Sequence, residues 1–114
     1  METELIKITK HNNILNIKTN FLDIQDNLIE FSYDQDQGYF TDNGQVSAIF
    51  KIFNLHIDLY ANQIKALTTC NLKLNNNCIT WHEPLTRDNL TIFLQNILSI
   101  YTYLRILTHE DDFI

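Results

Sequence analysis

The sequence predicts a single α+β domain, and three observations carry that prediction. The first forty residues hold short apolar runs that alternate at the two-residue period of strands. The last third carries one long apolar stripe at the helical period. Two glycines and one proline in 114 residues leave little room for a linker or a second domain. A chain of this length that is 45% hydrophobic buries enough surface to need no metal or disulfide staple.

Leu5-Ile6-Lys7-Ile8 is an apolar run whose period does not separate strand from helix. Ile14 to Thr19 alternates imperfectly and has the β-branched content of a strand. Leu28 to Tyr33 alternates well, with Ile29, Phe31 and Tyr33 on one face and Leu28, Glu30 and Ser32 on the other. After the polar Asp34-Gln-Asp-Gln turn, Gly38-Tyr39-Phe40-Thr41 reads as the returning strand of a hairpin. Asp42-Asn43-Gly44 then opens a helix whose buried stripe is Val46, Ile49, Phe50 and Phe53, with Asn54 as terminator. A second short helix spans about Asp58 to Thr68 with Tyr60, Ile64 and Leu67 inward. Cys70–Leu74 and Cys78–His82, joined by Asn75-Asn76-Asn77, form a hairpin, because Asn accepts positive φ better than other non-glycine residues.

The C-terminal helix has the fullest set of signals. Thr86 is its N-cap, Asp88 is the acid of its first turn, and Leu85 and Leu90 make a hydrophobic staple. Leu90, Phe93, Leu94, Ile97, Tyr101 and Leu104 form one face, which Leu98 and Ile100 widen. Exposure of that extra apolar area marks a dimer or partner surface. Glu110-Asp111-Asp112 is expected to be a frayed acidic end.

The net charge of −6 is concentrated in one place. No Lys or Arg stands between Lys18 and Lys51, while Asp23, Asp26, Glu30, Asp34, Asp36 and Asp42 all do. The other eight acids balance eight bases. Direct nucleic-acid binding through such a segment is not expected, since Lys and Arg supply most of that affinity. A basic protein surface or a cation matches it better.

Catalytic patterns are missing from the sequence. His11, His56, His82 and His109 are scattered, and none has a second His or a Cys at a metal-ligand spacing. Cys78 and His82 share a strand face but stand about 13 Å apart. No G-x-S-x-G elbow is present, and two glycines cannot build a phosphate loop or a dinucleotide fingerprint. Cys70 and Cys78 read as reduced thiols in the core, with a cross-hairpin disulfide as the minor alternative. Tyr33, Tyr39 and Phe40 around the acidic turn, and Trp81 beside His82, are either interface anchors or core. No run of eighteen apolar residues and no basic leader stands in the sequence, so a cytoplasmic protein is expected.

Three stretches carry a family resemblance. They are Ile17-Lys-Thr-Asn-Phe-Leu-Asp23, Asp26-Asn-Leu-Ile-Glu-Phe31 and Gly38-Tyr-Phe-Thr-Asp-Asn-Gly44. In order and spacing, over residues 14–55, they resemble the domain-of-unknown-function (DUF) 1828 family. Its pattern runs T-P-F-L-D, a D-x-I-x-I strand, then G-Y-x-L-T-D-D-G into a helix. Asn20 replaces the proline, Asn43 replaces the second aspartate, and the residues after F-L-D depart at Ile24. The resemblance implies an α+β fold and a bacterial or phage mobile-element setting, with no activity attached.

Charge and composition together lead to the expectation of a small acidic, non-enzymatic protein without cofactor or metal. It binds, and inhibits or regulates, the basic surface of a protein partner, as an immunity protein, an antitoxin or a phage-borne inhibitor of a nuclease or defence effector does. The expected contact residues are Asp23, Asp26, Glu30, Asp34, Asp36, Tyr39 and Asp42. One alternative is a divalent-metal nuclease, or a subunit of one, that uses Asp23, Asp26, Glu30 and Asp42 as ligands. Another is a homodimer formed through the C-terminal helix.

Overall fold

The protein was analysed as a computed structural model that describes residues 5–109; the Glu110-Asp111-Asp112 end lies outside them. Six strands form one antiparallel sheet: β1 (Ile6–His11), β2 (Ile14–Leu22), β3 (Leu28–Asp34), β4 (Tyr39–Thr41), β5 (Lys73–Asn75) and β6 (Cys78–Trp81). Their order across the sheet is β1-β2-β3-β4-β6-β5. The helices are α1 (Gln45–Ile52), α2 (Ala61–Leu67) and α3 (Arg87–Thr108), with a 3-10 turn over Ile57–Tyr60 leading into α2. This is the expected α+β fold, and the undecided Leu5–Ile8 run belongs to a strand.

Local chemistry explains most of the boundaries. The β1–β2 and β5–β6 turns hold two residues each, Asn12-Asn13 and Asn76-Asn77. Asn12, Asn76 and Asn77 lie at φ 58, 52 and 65°, the left-handed region that Asn visits more readily than most residues. The second turn is thus one residue tighter than expected, since Asn75 pairs with Cys78 inside the ladder. Helix α1 ends in a Schellman motif: Asn54 has φ 61°, its N–H donates to Lys51 O, and the Leu55 N–H donates to Phe50 O. Around α2 the expectation needs one correction. Ile57 and Ile64 are buried, whereas Leu67 stands 41% exposed at the helix end.

The inward residues of the sheet meet the helices across an aromatic centre. Phe93 of α3 packs its ring 5.1 Å from Phe31 and 5.3 Å from Phe40, and Trp81 stacks on Phe40 at 5.7 Å. Tyr33, Phe40 and Trp81 are therefore core residues, and of the aromatics weighed as anchors only Tyr39 is half-exposed. Helix α3 begins as expected, with Thr86 Oγ1 accepting from the Asn89 N–H at 3.0 Å. Its face from Leu90 to Leu104 is buried, as is Ile100. Leu98 lies outside that face, in a shallow groove with Leu67, Tyr103 and Ile106. By length and a mean hydropathy of 1.3, α3 is apolar enough to cross a membrane. Here its apolar face packs on the sheet. Buried Asn96 fastens the chain after α2 to α3, accepting from the Thr69 N–H at 2.7 Å and donating to Ile92 O at 2.7 Å.

Candidate functional site

The seven residues singled out in the sequence divide into two buried acids and five residues on or near the surface. Asp42 is 2% exposed and sits where β4 hands over to α1. Its Oδ1 accepts from the Gly44 N–H at 2.9 Å and from the Ile79 N–H at 2.7 Å. Its Oδ2 accepts from the Val46 N–H at 3.0 Å. Gly44, at φ 78°, lets the chain turn sharply enough for one carboxylate to face both the helix start and β6. Burial pushes the Asp42 carboxyl pKa up, against the pull of these backbone N–H donors.

Asp23 is 3% exposed and closes the β2–β3 turn, accepting from the N–H groups of Gln25 at 2.8 Å and Asn27 at 3.1 Å. The charges of Asp23 and Asp42 both act on Tyr101 of α3, a residue 4% exposed. Its pKa is raised first by burial, then by the charges of Asp42 and Asp23. Nothing in the sequence spacing points to that link.

The surface acids do not converge. Asp26, at φ 63°, is exposed in the β2–β3 turn, and Glu30 projects from mid-β3 opposite Lys18 of β2. Asp34 and Asp36 stand at the far end of β3, about 20 Å from Asp26. There the geometry is built with care. Asp34 Oδ1 accepts from the N–H groups of Asp36 and Gln37 at 3.0 and 2.9 Å. Asp36 Oδ2 accepts from Asn13 Nδ2 at 2.8 Å, and the Gln35 N–H donates to Asn13 O at 2.9 Å. The β1–β2 and β3–β4 turns are thereby latched side by side. Tyr39 packs its ring against His82, with centres 5.0 Å apart and planes tilted by 53°, and Glu83 follows immediately.

Among the described residues no group of three or more His, Cys, Asp or Glu side chains could hold a metal ion. Asp23, Asp26, Glu30 and Asp42 form no such group, and backbone amides engage both carboxylate oxygens of Asp42 and Oδ1 of Asp23.

No family model, curated protein or solved structure matches this chain.

The two thiols sit in different segments. Cys78 pairs with Asn75 inside the hairpin, whereas Cys70 lies before β5 in the bend that follows α2, and both thiols are free. Burial, and then the Glu83 charge, push the Cys70 pKa up to about 11, so its thiol is protonated at neutral pH.

The outer face of the sheet carries a polar network that the sequence reading passed over. Asn43 Nδ2 donates to Ser32 Oγ at 2.8 Å, and Ser32 Oγ donates to Asn16 Oδ1 at 3.0 Å. In the same row Thr80 Oγ1 is buried without a partner among the described residues. Only the β3 alternation that put Ser32 outward hinted at this network, and the strand order that completes it is not local.

Proposed function

We propose that this domain is a non-enzymatic binding protein that seats the β3–β4 turn on a basic surface of another protein. One observation carries the reading. Asp34 and Asp36 are held in a water-facing pose by the turn and the latch to Asn13, beside the tilted ring pair of half-exposed Tyr39 and exposed His82. A rigid acidic turn next to an aromatic ring suits protein recognition, because little side-chain freedom is lost on docking and the ring supplies contact area. The opposite charge steers the approach. Regulation or inhibition of a toxin, nuclease or defence effector fits a partner of that charge, by analogy of size and acidity alone. Within the expected contact set, Asp34, Asp36 and Tyr39 are the residues this reading uses; Asp23 and Asp42 serve the fold.

The test compares the wild-type chain with Asp36→Lys and Tyr39→Ser as baits in cell extract, over a salt series. The wild type should retain a basic protein at low salt, with each variant binding it about tenfold more weakly. Asp34 is left intact because its carboxylate shapes the turn. Equal retention by all three baits at every salt concentration would show that the turn is not the contact.

A further inference from the structure

We infer that the free edge of β1 is a second recognition surface, which takes an extended peptide of alternating apolar and acidic residues as a seventh strand. It lies apart from the β3–β4 turn and does not depend on the reading of that turn. Strand β1 ends the sheet, and no described strand pairs with its outer side. The hydrogen-bond phase of the ladder identifies which groups are free. The Asn20 N–H donates to Leu5 O, so Leu5 and, at every second residue, Lys7, Thr9 and His11 direct their backbone groups toward β2. Ile6, Ile8 and Lys10 then direct their N–H and C=O groups outward.

Those same three residues turn their side chains to the helix side of the sheet, where the cover is incomplete. Ile8 remains 47% exposed. Beside it a groove of about 350 Å³, lined by Ile6, Ile8, Leu85, Leu90 and Arg87, runs between β1 and the first turns of α3. An added strand would bond to Ile6, Ile8 and Lys10 and drop alternate side chains into this groove.

Charge decides which strand fits. Four of the chain's eight basic residues flank this edge: Lys7, opposite Lys18 of β2, on the outer face, and Lys10 and Arg87 on the groove side. Glu30 lies across from Lys18, which leaves Lys7 as the outer-face cation at the seam, with no acid on its own strand. Pairing β1 with a second copy would bring the lysines of both chains to one seam, the arrangement by which edge lysines resist self-association. A strand that seats apolar residues in the groove carries its alternate acidic residues on the outer face, against Lys7 and Lys18.

The probe is a short synthetic peptide alternating Val and Glu, with a Val/Lys peptide of the same length as control, followed by fluorescence anisotropy and amide hydrogen exchange. The Val/Glu peptide should bind in a salt-sensitive manner and the Val/Lys peptide should not. On binding, exchange should slow at Ile6, Ile8 and Lys10, with Lys7 and Thr9 already slow in the free protein. Ile8→Pro removes an edge donor that the fold does not use, and it should weaken binding at least about tenfold. Lys7→Glu combined with Lys10→Glu leaves the backbone intact and should do the same, which covers a failure of the proline variant to fold. Three results overturn the proposal: no binding of the Val/Glu peptide, equal binding of both peptides, or a dimer in sedimentation that Ile8→Pro dissolves. The baits altered at Asp36 and Tyr39 should bind the peptide as the wild type does, so the two surfaces can fail separately.

Discussion

Asp42→Ala should lower the unfolding free energy by about 3–5 kcal/mol, a large fraction of what a domain of this size possesses. Three backbone N–H groups, of Gly44, Val46 and Ile79, lose their acceptor at once. Each buried donor left unsatisfied costs about 1–3 kcal/mol, with water recovering part of this at the more open Gly44. Urea unfolding should show the loss as a fall in midpoint at unchanged slope. A change below about 1 kcal/mol would mean that the carboxylate is dispensable. Asp42→Asn should fall between the two, because its oxygen can still serve Gly44 and Ile79 while its amide faces the Val46 N–H donor to donor.

The pH dependence has a definite sign. The folded-state pKa of Asp42 is raised above the ordinary value of 3.8, so the folded chain holds this proton more tightly than the unfolded one. This group's share of the stability is present below 3.8 and declines as pH rises through the folded value. The Asn variant has no such proton. The stability gap between wild type and Asp42→Asn should therefore narrow as pH rises across that window and stay level above it.

Phe40→Ala is the second large effect, at about 3–5 kcal/mol. Phe40 is fully buried and touches four other rings, those of Phe31, Tyr33, Trp81 and Phe93, with centres 4.8 to 6.4 Å away. Removing it opens a cavity between the sheet and α3 and also forfeits ring–ring contacts worth about 0.5–1.5 kcal/mol each. Phe40→Leu refills much of that volume and should cost less than half as much. Thermal unfolding with near-ultraviolet circular dichroism separates the two, since the alanine variant should also dim the Trp81 signal. Equal melting temperatures for the two variants would remove Phe40 from the centre of the core.

The elements of the fold were legible wherever the chemistry is local. The alternation of Leu28–Tyr33, the Asn turns and the Thr86 cap each act within a few residues, and each is found in the structure. Asp42 was legible only in part. The Thr41-Asp42-Asn43-Gly44 string announces a helix start, but the donor from Ile79 lies 37 residues on and depends on β6 entering beside β4. The acidic segment shows why charge along a chain is a poor guide to charge in space. Strand β3 is extended, so it carries Asp26 and Asp34 to opposite ends of the sheet, while turn chemistry draws Asp23 and Asp42 inward. The abundant asparagine meant more than it first showed. With two glycines in the chain, Asn fills five of the eight positive-φ positions among the described residues.

The Asp42 carboxylate also bears on timing. Strands β1 to β4 form a meander whose pairings need only short loops, whereas β6 reaches β4 across both α1 and α2. Closing that long loop is the entropically slow part of assembly. A side chain that grips the start of α1 and the first residues of β6 completes its bonds only after the closure. The bond from Ile79 thus works as a bolt on a finished structure, and its loss should speed the molecule's coming apart more than it slows its forming, as unfolding and refolding rates of Asp42→Asn would show.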